Sequence, residues 1–217
     1  IDGQHTYIAA TTLFGKDIDF MCNVVDCTSS DWKDLTEEQF EARIFTHQHD
    51  NTKQLSAQEK FNGGFIGGEQ RETEIVTELN NLGYTVQLTG KQLASNKSVA
   101  CLKAISDIYD KLGLDILVRA IKIIDEAYKG SPDSLQDKYI TGLTNFINTY
   151  DNHENYSDKK LAEALRKNAQ EPKRVLASAK EQSERSRYSK YRSFNKCLED
   201  QFLEMTGGGA IAEANSK

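Results

Sequence analysis

The first residues that could do chemistry are Asp2, Gly3, Gln4 and His5, in the opening stretch IDGQHTYIAATTLFG. An Asp-Gly turn feeding a helix has a definite physical use. The first backbone N–H groups of a helix have no internal partner and sit at the positive end of its dipole. A glycine lets a ligand come close to the backbone, so such a junction can hold a phosphate. Gln4, His5 and Thr6 add side-chain donors at the same place, and His5 titrates near neutral pH and could carry a proton. The simpler alternative is an Asp cap, a Gly turn and a surface His, and four residues alone leave both readings open.

Three further groups have chemically useful types. His47 and His49 stand two apart in THQHDN, a spacing that can bring two imidazoles to one metal, with Asp50 and His153 as the further candidates. No Cys or second His pair stands nearby, so a solvated loop is the plainer reading and no metal site is assigned. Cys22 and Cys27 have no second pair to complete a zinc set, and Cys22 suits the buried face of a strand. The third group is cationic. Residues 166–196 hold ten Lys and Arg against three Glu, which makes +7 for that segment and −13 for the remainder of a chain whose net charge is −6. Lys173, Arg174, Arg185, Arg187, Lys190, Arg192 and Lys196, interleaved with Tyr188, Tyr191 and Phe194, could neutralise phosphates while the tyrosines stack or hydrogen-bond. A solvated helix face is the competing reading.

The elements that must position these residues follow from periodicity. Thr6 to Phe14 reads as a helix stopped by Gly15, and DIDFMCNVV as an alternating strand. Thr36 with Gln39, and Ser56 with Glu59, carry the spacing of capping boxes. The glycines of NGGFIGGE suggest a turn or joint. A helix from Glu69 to Leu82 and a short strand YTVQL come next. From about Ser98 the period is helical only, with starts expected at Ser98, Asp115, Ser134 and Ser157. Pro172 is expected as the first residue of one last long helix. A chain of 217 residues with 38% hydrophobic and 28% charged residues suits one domain or two small ones. The four scattered cysteines favour reduced thiols and a cytoplasmic location. No apolar run is long enough for a membrane span, so no membrane partner is expected.

IDGQHTYIAA resembles the Asp-Gly-Gln-His motif of the ParB-like domain of the ParB/sulfiredoxin superfamily, in the versions found in phages and mobile elements. EEQFEARIFTHQHDNTKQLSAQEKF resembles the same family's next block: a helix, a polar loop, then a capped helix. The resemblance is most specific over residues 1–10 and 40–65 and covers most of the chain loosely. It implies that the glycine turn binds a nucleotide's phosphates and that Gln48, Asn51 and Lys53 line the same pocket; the cofactor itself is left open, a nucleotide with or without Mg²⁺ being the candidate. Many members carry Arg after the His; this chain has Thr6, which donates a hydrogen bond without a charge, and Lys53 is the nearest substitute. In the superfamily's enzymes, nucleases and NTPases among them, His5 or Glu41 would accept a proton. The superfamily fold has strands before the motif, so the resemblance implies either residues upstream of Ile1 or a domain truncated at its N-terminus.

The expected fold class is therefore α+β: a small ParB-like α/β domain over residues 1–92, an all-helical domain over 93–206, and a flexible tail over 207–217. The expected function is a DNA-associated binding protein with a nucleotide- or phosphate-binding turn. A nucleotide-dependent enzyme and a module that docks a protein partner through the helical domain are the alternatives.

Overall fold

The computed structural model describes residues 4–15, 19, 34–48, 55–88, 95–154, 156–168, 171–185 and 193–207; the side chains of residues 4–6, 14, 47 and 48 lie outside that description. Among the described residues there are ten helices and one pair of short parallel strands, so the chain is mostly helical. It divides into two compact units, 1–70 and 71–217. This division precedes the domain limit read from the sequence, so the strand at Thr85 belongs to the second unit.

In the first unit, α1 (Gln4–Phe14) ends at Gly15, whose φ of +90° is a conformation that glycine adopts without strain. The strand expected in DIDFMCNVV lies outside the described residues, Asp19 apart. Thr36 opens α2 (Glu37–Gln48): its backbone N–H donates to Gln39 Oε1 at 3.0 Å, and Gln39 N–H donates to Thr36 Oγ1 at 3.2 Å. Ser56 and Glu59 form the same reciprocal cap at the start of α3 (Ala57–Ile66). The glycine stretch meets the sequence expectation in its second half: α3 continues through Gly63 and Gly64, and the turn falls at Gly67 and Gly68. Packing against α2 explains the glycines. A Cβ on Gly63 would lie 2.6 Å from Thr46 Oγ1, and one on Gly67 would lie 3.0 Å from Arg43 Cγ. Arg43 Nε then donates to the Gly67 carbonyl at 2.8 Å, supplying a partner that the helix end lacks. Close approach offsets the entropy that glycine costs inside a helix.

In the second unit, α4 (Gln70–Asn81) leads to β1 (Thr85–Val86), which pairs in parallel with β2 (Ser98–Val99). Ser98 does not cap a helix as its residue type suggests. Its hydroxyl accepts from Gln87 Nε2 at 2.6 Å across the strands, and α5 (Leu102–Leu112) begins only after Cys101. α6 (Leu114–Tyr128), α7 (Asp137–Tyr150) and α8 (Asp158–Asn168) follow. Ser134, expected to start α7, is buried and donates to the Ser131 carbonyl at 2.7 Å, so α7 starts later. Ser157 does act at the start of α8, accepting from Lys160 N–H at 3.2 Å.

The expected last long helix is two helices. Pro172 begins α9 (Pro172–Arg185), and Ser193 caps α10 (Phe194–Met205) by accepting from Lys196 N–H. Phe202 of α10 packs edge-on against Tyr139 and Phe146 of α7, with ring centroids 5.7 and 5.6 Å away. Ile105, Leu117, Ile121, Ile124, Leu143, Leu165 and Leu198 complete a core that water does not reach. Burial of this aliphatic and aromatic surface, at about 25 cal/mol per Å², is the main stabilising term of the unit. No described helix is long and apolar enough to cross a membrane.

Candidate functional site

Gln4, His5 and Thr6 form the first turn of α1, and Gln48 is the last residue of α2. Asp2, Gly3, Asn51 and Lys53 lie outside the described residues, as do His49, Asp50, Cys22 and Cys27. Glu41 is exposed on α2. His153 stands against an aromatic neighbour, its ring centroid 6.1 Å from that of Tyr150. Cys101 donates to the Leu135 carbonyl at 3.4 Å, and burial together with nearby Asp137 pushes its thiol up to about 12, which leaves it protonated and unreactive.

The cationic segment is the candidate site whose side chains are best described. α9 turns Pro172, Val175 and Ala179 inward, because these are its apolar residues at helical spacing. That orientation places Lys173, Arg174, Lys180 and Arg185 in solvent; Arg174 is 82% and Arg185 78% exposed. The four cations extend over about 18 Å of helix. Each is partnered by a carboxylate. Lys173 Nζ lies 2.8 Å from Asp133, Arg174 Nε 2.8 Å from Glu171, Lys180 Nζ 3.9 Å from Glu184, and Arg185 pairs with Glu181.

Lys196 lies on α10. Its ammonium lies 2.7 Å from Glu199 Oε1, the same oxygen to which Tyr150 donates at 2.7 Å, and 3.7 Å from Asp200. The Tyr150–Glu199 bond joins α7 to α10, while Lys196 stays exposed and pairs along its own helix. Arg187, Lys190 and Arg192 lie outside the described residues. A groove of about 380 Å³ opens between the end of α8, α9 and α10, floored by Val175 and Met205 and rimmed by Lys167 and Arg174.

One ionic cluster went unseen in the sequence. Arg119 on α6 donates from Nε and Nη2 to the two oxygens of Asp158 at 2.8 Å each, and from Nη2 to Asp151 at 2.6 Å. Tyr156 also donates to Asp158, at 2.8 Å. The guanidinium bonds hold both carboxyls below their ordinary range, and the carboxylates raise Arg119 still further above its own. The cluster fastens α6 to the α7–α8 connection and to α8. Asp151 and Asp158 are distant in sequence from Arg119, and no local spacing marks them as its partners.

These features describe a helix-rich chain in two compact units, with exposed cations along α9. The chain belongs to a family of unknown function, DUF6551, whose model matches residues 1–198. That span takes in both the α1 turn and the whole of α9. No curated protein and no solved structure matches the chain.

Proposed function

We propose that this is a ParB-like protein of the phage or mobile-element type that associates with DNA through the outward face of α9 and holds a nucleotide phosphate at the turn before α1. The observation that carries the DNA reading is the set of Lys173, Arg174, Lys180 and Arg185 on one solvent-facing side of a single helix. At 3.4 Å per step, about 18 Å of helix matches roughly five base-pair steps of a duplex. The three further cations at 187, 190 and 192, with no acidic residue among them, extend the basic sequence directly beyond α9. The nucleotide reading rests on the resemblance of residues 1–10, with Asp2, Gly3, Gln4, His5 and Thr6 as the phosphate contacts and Gln48, Asn51 and Lys53 beside them.

The DNA reading is tested by fluorescence anisotropy with a labelled duplex at low salt. Replacing Lys173, Arg174, Lys180 and Arg185 together by Gln is expected to weaken binding at least tenfold; equal affinity would remove α9 from the interface. The turn is tested separately, by thermal shift with ATP, ADP and CTP, with and without Mg²⁺. A ligand at about 100 times its Kd adds about 2.7 kcal/mol. Gly3→Val is expected to abolish that shift by blocking approach to the backbone, and a shift that survives it would place the ligand elsewhere.

A further inference from the structure

The α9 face is exposed, yet it is not a net positive surface. Its four cations face four carboxylates: Asp133 for Lys173, Glu171 for Arg174, Glu184 for Lys180 and Glu181 for Arg185. Three of these carboxylates lie on α9 itself or immediately before it, one turn from the cation they hold. A phosphate that takes Arg174 or Arg185 must displace a carboxylate, and that carboxylate then stays within a turn of the phosphate and repels it. The exposed pairs are individually weak, so displacement itself is easy. The repulsion that remains acts inside the Debye length, so the three carboxylates together lower the affinity at low salt.

Resting on the DNA reading above, we infer that Glu171, Glu181 and Glu184 act as a built-in electrostatic brake on the α9 interface. They hold its affinity for a polyanion well below what four lysines and arginines would give. Removing their charge frees the cations without adding any.

The test is duplex DNA binding by the full chain carrying E171Q, E181Q and E184Q together, at 50 mM and 200 mM salt. A control of equal charge change, D115N, E126Q and E154Q, alters exposed carboxylates of the same unit that lie on elements other than α9. The brake is expected to show as about a tenfold gain in affinity at the lower salt for the α9 variant, with the control within about twofold of wild type. A steeper salt dependence in the α9 variant follows from the additional phosphates engaged. Equal gains in both variants, or none in the α9 variant while wild type binds, would overturn the brake and leave the DNA reading intact. Absence of binding by wild type and by the α9 variant would overturn the DNA reading, and the brake with it. Circular dichroism melting of each variant confirms that the comparison is between folded proteins.

Discussion

Arg119 and Arg185 are both arginines paired with acidic side chains, and they do opposite work. Arg119 is 28% exposed and reaches Asp151 and Asp158, which the chain brings to it from beyond α7. Arg185 is 78% exposed and pairs with Glu181, one turn back on its own helix. The first pairing exists only when α6 and α8 are packed, so its energy belongs to the fold. The second survives in an isolated helix and is worth a few tenths of a kcal/mol. A cation fastened by distant carboxylates is fully engaged in structure, whereas one paired locally can exchange its carboxylate for another anion. By the same criterion Lys196, paired with Glu199 and Asp200 within a turn on its own helix, sides with Arg185, whereas Lys173, paired with Asp133 from before α7 yet 68% exposed, stands between the two.

Substitution can break this contrast. Arg119→Ala is expected to have the largest effect, about 2 kcal/mol of lost stability: charge-assisted hydrogen bonds are worth up to about 3 kcal/mol, discounted here for partial solvent access. Urea unfolding followed by circular dichroism reads it, and a loss below about 0.5 kcal/mol would place Arg119 with the surface pairs. A smaller effect is expected in acid. Asp151 and Asp158 have depressed values in the folded protein, so their stabilising contribution is complete above the unfolded carboxyl value of about 3.9. It is lost as pH falls from there through the depressed folded values. The decline in stability below about pH 4 should therefore be shallower in Arg119→Ala than in wild type; parallel curves would contradict the assignment. The smallest effect on folding is expected for Arg174→Gln with Arg185→Gln, within about 0.5 kcal/mol of wild type. A loss as large as that of Arg119→Ala would mean that α9's cations are structural.

What could be read from the sequence divides along the same line of local against distant partners. The caps at Thr36, Ser56 and Ser157 and the start at Pro172 were legible, because each depends on residues within one turn. Ser98 and Gly63 were misread, because their roles depend on Gln87 across the strand pair and on Thr46 of α2. At the candidate interface the cations are visible from residue type alone. The Glu181–Arg185 pair follows from i,i+4 spacing, but Asp133 as the partner of Lys173 does not. Neither does the bond from Tyr150 to Glu199, since that needs α7 and α10 side by side.

In the proposed function, α9 offers exchangeable cations to a phosphate backbone. The most direct measurement is the slope of log Kobs against log salt for a short duplex, compared between wild type and the protein with Lys173, Arg174, Lys180 and Arg185 replaced by Gln. Each phosphate neutralised contributes about −0.9 to the slope. A steep slope in wild type that flattens by about 3 or more in the variant is the expected result. A slope that the four substitutions leave unchanged, or no binding by wild type at 50 mM salt, would contradict the claim.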